Sequence, residues 1–100
     1  MGVIRSFGDD ATADVYYGRD TKAARRLPKA LWPVIRRKLD AVHRACTLQD
    51  LRLPAGNRLE ALKGDLAGRF SLRANDQYRI TFQWEQKGPY ADDVTCEDYH

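Results

Sequence analysis

Histidine, cysteine and methionine are scarce in this chain of 100 residues, at two, two and one. Cys46 and Cys96 are too few and too far apart to make a zinc site, and His43 and His100 add too little for a metal cluster. Two reduced thiols are expected rather than a disulfide, and no metal ion or other cofactor is expected. Long apolar runs are missing too. None approaches the length that spans a bilayer, and no signal-peptide hydrophobic region follows Met1, so the expected location is the cytoplasm, away from membranes. No glycine-rich phosphate loop is present, because Gly64–Gly68 lacks the Lys-Ser/Thr and the helix that would complete it. No serine or cysteine sits in a recognisable nucleophile setting, and no repeat or low-complexity segment is visible.

What is present suits one domain spanning residues 1–100. A hydrophobic share of 43% and two tryptophans are enough for a single core and argue against disorder. The net charge of +3 hides an asymmetry. Residues 1–84 carry 16 Lys/Arg against 9 Asp/Glu, whereas residues 85–100 carry one Lys against five acids. Most of the chain therefore suits a polyanion, which makes nucleic acid a candidate partner, while the final stretch is acidic.

The apolar spacing reads as helices followed by strands. Val3–Phe7 is expected as a strand stopped by Gly8-Asp9-Asp10, and Ala11–Tyr17 as a short helix closed by Gly18 in a left-handed cap. Asp20 or Thr21 can cap the next segment. Leu27, Leu31, Val34/Ile35, Leu39, Val42 and Cys46 recur at three- and four-residue spacing, which is one apolar stripe of an amphipathic helix. Pro28 and Pro33 divide it into a short piece to about Leu27 and a longer one from about Pro28 or Lys29 to Ala45. His43 falls on its polar side and is expected to be solvated. Thr47–Leu51 reads as a capped turn, and Pro54-Ala55-Gly56 ends the helical half. Four strands follow, Arg58–Lys63, Arg69–Arg73, Tyr78–Trp84 and Tyr90–Asp98, with short turn-forming links that imply an antiparallel meander. Phe70, Leu72, Ile80 and Phe82 should face the helices, and Arg69, Ser71, Arg73, Arg79 and Thr81 the other side. The fold class is α+β.

The residues with chemistry lie on consecutive strands: Arg58 and Glu60, then Lys63, Arg73, Arg79 and the closing Asp98-Tyr99-His100. Alternate positions of neighbouring strands share a face, so fixed cations can meet a proton-transferring group. That combination suits phosphodiester cleavage in RNA, where a base takes the 2′-hydroxyl proton, cations hold the phosphorane and an acid protonates the leaving 5′-oxygen. Two bland readings stand beside it. A basic sheet face can simply dock to RNA, and the last three residues can be a solvated tail.

Three stretches occur together in order: Gly56-Asn57-Arg58-Leu59-Glu60-Ala61-Leu62-Lys63-Gly64-Asp65, then Asn75-Asp76-Gln77-Tyr78-Arg79-Ile80-Thr81-Phe82, then Asp98-Tyr99-His100. With them, nearly the whole chain resembles the HigB/GraT toxins of the RelE superfamily. The resemblance implies a RelE-like fold, an N-terminal strand and two to three helices on a twisted, mainly antiparallel four- to five-stranded sheet. It implies a type II toxin that cleaves mRNA on the ribosome by 2′-hydroxyl attack without a metal ion. Its partner would be a HigA-like helix-turn-helix antitoxin, through which alone it would reach operator DNA. Lys63 and Arg79 match the family's phosphate-contacting cations, and Asp98, Tyr99 and His100 its C-terminal catalytic motif. Glu60 stands where one branch has histidine and a GraT-like branch has glutamate, and Tyr78 replaces a frequent tryptophan. Two assignments are open: Glu60 takes the 2′-hydroxyl proton with His100 as the acid, or Glu60 orients a cation while His100 carries the proton transfer. Tyr16, Tyr17 and residues 18–28 are either part of the antitoxin contact or ordinary core and surface. A non-catalytic binder acting in a repressor complex and a gyrase poison are the alternatives to the nuclease.

Overall fold

A computed structural model describes residues 3–98. Its strands are β1 (Val3–Ile4), β2 (Glu60–Ala61), β3 (Arg69–Arg73), β4 (Tyr78–Glu85) and β5 (Tyr90–Asp98), and its helices are α1 (Asp10–Tyr16) and α2 (Trp32–Arg44). The strands form one sheet in the order β1-β5-β4-β3-β2. β2 to β5 make the expected antiparallel meander, and β1 adds to it in parallel, with Val3 opposite Tyr90. Among the described residues, no helix is long and apolar enough to cross a membrane.

Local chemistry sets the element ends. Asp9, expected in a strand-stopping turn, also starts α1: its Oδ1 accepts the Thr12 N–H at 2.8 Å. Gly18 closes the helix at φ +74°, as expected of a left-handed cap. Thr21 Oγ1 accepts the Ala24 N–H at 3.0 Å, yet the segment it caps is only a 3-10 turn over Ala24–Arg26. The cause is Pro28, which pushes Leu27 into an extended conformation. A second 3-10 turn at Lys29–Leu31 leads into α2, whose first turn holds Pro33.

The stripe of α2 builds the core. Ile35, Leu39 and Val42 are fully buried together with Leu72, Ile80, Phe82 and Val94 from the sheet, and Tyr78 packs on this cluster half-buried. Cys46 drops out of the stripe because α2 ends at Arg44 and Ala45 turns extended. It is exposed and Cys96 buried, both as free thiols. Burial, helped by the charges of Asp9 and Glu97, pushes the Cys96 thiol up to about 12. A thiol reagent at neutral pH should therefore modify one cysteine of the folded protein and the second only after unfolding. Mass spectrometry reads this directly, and fast labelling of Cys96 in the folded state would contradict the packing.

Two expectations need correction. His43 is not a solvated side chain: its Nδ1 accepts the Ile4 backbone N–H at 3.1 Å, and its ring lies beside Tyr16. β1 is an edge strand, so alternate N–H groups point away from the ladder, and His43 takes one of them. The strand expected over Arg58–Lys63 shrinks to Glu60–Ala61. Arg58 is left-handed at φ 45°, and Lys63 already opens a 3-10 turn at Gly64–Leu66. Only the Leu62 N–H, at 2.8 Å from the Arg69 carbonyl, extends the pairing.

The strand expected over Val3–Phe7 is likewise interrupted after Ile4 and touches β5 again through a bridge between Phe7 and Val94. The break mirrors a bulge in β5, where Asp93 sits at φ 53° and the register against β4 shifts between Thr81 and Gln83. Gly8 passes beside it. A Cβ there would lie 2.0 Å from Thr95 Oγ1 and 2.7 Å from Asp93 Oδ1, so any larger residue requires those side chains to shift.

Candidate functional site

The face of the sheet away from the helices carries the polar residues. Alternation along β4 turns Ile80 and Phe82 inward and Arg79, Thr81 and Gln83 outward. In register, Arg79 stands between Arg73 of β3 and Glu97 of β5. Glu60 is opposite Ser71 one strand further out. Arg58, Glu60, Arg73, Asn75, Asp76 and Arg79 line a cleft of about 290 Å³.

Arg79 is the anchored cation of this cleft, with 13% of its side chain exposed. Its Nε donates to Ser71 Oγ at 2.9 Å, and its Nη2 donates to the Arg58 carbonyl at 2.6 Å. The Glu60 carboxylate, 60% exposed, stands 3.9 Å from the same nitrogen. These contacts orient the guanidinium before any ligand arrives. They also explain why Ser71 is fully buried on the outer face. Arg69 lies over Thr81 in the same way and is held by Asp93 at 2.9 Å. The outer face is thus a layer of arginines fastened to short hydroxyl side chains, not a loose basic surface.

The expected residues are brought together unevenly. Arg58, Glu60, Arg73 and Arg79 share the cleft, with Arg73 paired to Asp76. Lys63 does not line it; it is exposed at the start of the turn beyond β2. Asp98 is opposite Tyr78 at the end of β5, where alternation turns it away from Arg79, and it accepts from Gln77 Nε2 at 3.0 Å. Tyr99 and His100 lie outside the described residues. Glu97 is not among the residues expected at the site, although it is the acid in register with Arg79 and accepts from the Thr81 hydroxyl. The inward pair Val94 and Cys96 implies that Thr95 and Glu97 face outward, so the signal was present. Among the described residues, no group of three or more His, Cys, Asp or Glu could hold a metal ion.

The model of the HigB-like family, RelE-like toxins of type II toxin–antitoxin systems, matches residues 5–100. The chain belongs to the HigB-like toxin family. It is 45% identical over 65 residues to Toxin HigB-1 of Vibrio cholerae serotype O1, covering 65% of this chain and 68% of that protein. An uncharacterized protein of Haemophilus influenzae is 35% identical over 79 residues, covering 79% and 76%. Among solved structures, a YoeB/ParE toxin from Agrobacterium tumefaciens superposes with a TM-score of 0.54 at 16% identity, covering 97% of this chain and all of that one. A YoeB-YefM complex from Staphylococcus aureus gives 0.51 at 16%, covering 97% of each. These two bear on the fold alone, which is RelE-like. This HigB-like toxin is the toxin half of a type II system, and RelE-like toxins as a class are mRNA endonucleases.

Proposed function

We propose that this HigB-like toxin cuts mRNA in the ribosomal A site, with Arg79 holding the scissile phosphate. The anchored Arg79 guanidinium in a cleft with Arg58 and Arg73 is the observation that carries the reading. In the reaction, a base removes the proton of the 2′-hydroxyl and that oxygen attacks the adjacent phosphorus. The P–O5′ bond breaks, leaving a 2′,3′-cyclic phosphate, and an acid protonates the departing 5′-oxygen. A guanidinium fits the equatorial oxygens of the phosphorane in two-pronged fashion. This route places the developing charge on side-chain cations and calls for no metal ion. His100 carries the proton transfer, Glu60 shares it or orients Arg79, and Lys63 adds a point charge from the exposed turn. Asp98 and Tyr99 position the histidine or the RNA.

The toxin acts in the cytoplasm, and a HigA-like helix-turn-helix antitoxin silences it. Tyr17, 58% exposed beside Phe7 and Tyr16, is a candidate for that contact. The basic surface of residues 1–84 supports docking on a polyanion such as the ribosome, a binding that weakens as salt rises.

Purified toxin and a defined mRNA, assayed with and without programmed ribosomes, test the reading. The expected result is cleavage at the A-site codon only when ribosomes are present, with cyclic-phosphate ends, and its loss when a HigA-like helix-turn-helix antitoxin is added. Ribosome stalling with intact mRNA would instead identify a binder, and a DNA-damage response on overexpression a gyrase poison.

A further inference from the structure

The orientation of Arg79 depends on a backbone carbonyl, and that carbonyl belongs to a turn fastened from beneath. Asn57 ends the 3-10 turn Ala55–Asn57 and is 2% exposed. Its Nδ2 donates to the Leu51 and Leu53 carbonyls, both at 3.2 Å, and its Oδ1 accepts from Lys38 Nζ on α2. The next residue, Arg58, is left-handed at φ 45° and ψ 58°, and its carbonyl receives Arg79 Nη2 at 2.6 Å. A relay therefore runs from α2 through one side-chain amide and one carbonyl to the anchored cation.

We propose that Lys38 and Asn57 are positioning residues for the candidate active site, holding the Arg58 carbonyl where it orients Arg79. The inference rests on the reading of Arg79 as the phosphate-holding group. Its physical basis is the cost of the arrangement. A buried amide and a half-buried ammonium must be desolvated, which aliphatic side chains at the same places would avoid. Burial, with the nearby charges of Arg37 and Arg73, holds the Lys38 pKa below the ordinary lysine value. What the pair secures is a turn of exposed residues with little apolar burial of its own: residues 52–56 are all exposed. Its connections to the cleft are the side chain of Arg58 and the carbonyl that Arg79 uses.

The test compares Lys38→Met, Lys38→Arg and Asn57→Asp with the unaltered toxin and with Arg79→Ala. Lys38→Met keeps the unbranched stem out to the ε position and removes the donor. Asn57→Asp keeps the shape and turns an oxygen toward the two carbonyls that Nδ2 serves. Single-turnover cleavage on programmed ribosomes is expected to slow by about 10–100-fold for both, since small misplacements of a reacting group cost on this order. The half-saturating ribosome concentration should stay constant, and Lys38→Arg should restore the rate. The Arg79 Nε–H resonance, followed by NMR without ribosomes, should shift and lose its protection from exchange in the two slow variants while the unfolding midpoint shows them folded. An unchanged Arg79 resonance in both folded variants would overturn the proposal. So would full cleavage by them while Arg79→Ala is inactive. If Arg79→Ala cleaves at the full rate as well, the reading of the site fails first and the inference falls with it.

Discussion

Arg79→Ala is expected to slow mRNA cleavage on programmed ribosomes by about 10²–10³-fold, the usual effect of removing one preorganised group that stabilises developing charge. The geometry explains why the loss should be large. Arg79 is tied on one edge to Ser71 and on the other to the Arg58 carbonyl, so little reorganisation is needed when the phosphorane forms. Arg79→Lys should not rescue the rate. A lysine offers a point charge and cannot span Ser71 Oγ and the Arg58 carbonyl at once. Alanine also leaves that carbonyl and the buried Ser71 hydroxyl without a donor, at roughly 1–3 kcal/mol for such a group. Urea unfolding by circular dichroism therefore belongs beside the cleavage assay. A variant that is folded yet cuts at the full rate would remove Arg79 from the mechanism.

His100→Ala is expected to lower cleavage by about 10²–10⁴-fold, the span typical of a lost general acid or base. The resemblance to HigB/GraT toxins is what places His100 in this role. The described part of the chain agrees in one respect: β5 stays paired to β4 through Asp98, immediately after the Glu97 that faces Arg79. Histidine titrates near neutrality, so the alanine variant should lose the limb of the pH–rate profile between about pH 5 and 8. Glu60→Gln measured beside it separates the two proton assignments. A loss as large as that of His100→Ala makes Glu60 the partner in proton transfer. A small one leaves it as a group that orients Arg79 across 3.9 Å. Full activity without His100 would refute the role proposed for it.

Both substitutions concern residues visible in the sequence, Arg79 through periodicity and His100 through the resemblance to HigB/GraT toxins. The stripe through Ile35, Leu39 and Val42 and the two-residue alternation of β3, β4 and β5 are local patterns, and they locate the core and the outward arginines together. Features that depend on a partner distant in sequence were not legible. His43 reads as polar surface until β1 is laid against α2 and presents the Ile4 N–H. Arg58 reads as the start of a strand, because nothing local says that its carbonyl is needed by Arg79. Asn57 lies within the family-like stretch with no role until Lys38 is seen beneath it. Lys63 matches the family motif, and the structure places it in the exposed turn beyond β2, outside the cleft that Arg79 lines.

The order β1-β5-β4-β3-β2 puts the final described strand inside the sheet, between the first strand and β4. During synthesis, residues 90–98 are made after every other described element, so the strands before them are complete first. A nascent chain at that stage has β4 without its inner neighbour, and Arg79 without the strand that carries Glu97. The pairing of β1 with β5, from opposite ends of the described chain, also forms slowly. Strand order thus makes β5 the keystone of the sheet: it is the strand that ties the beginning of the described chain to the meander carrying the cleft.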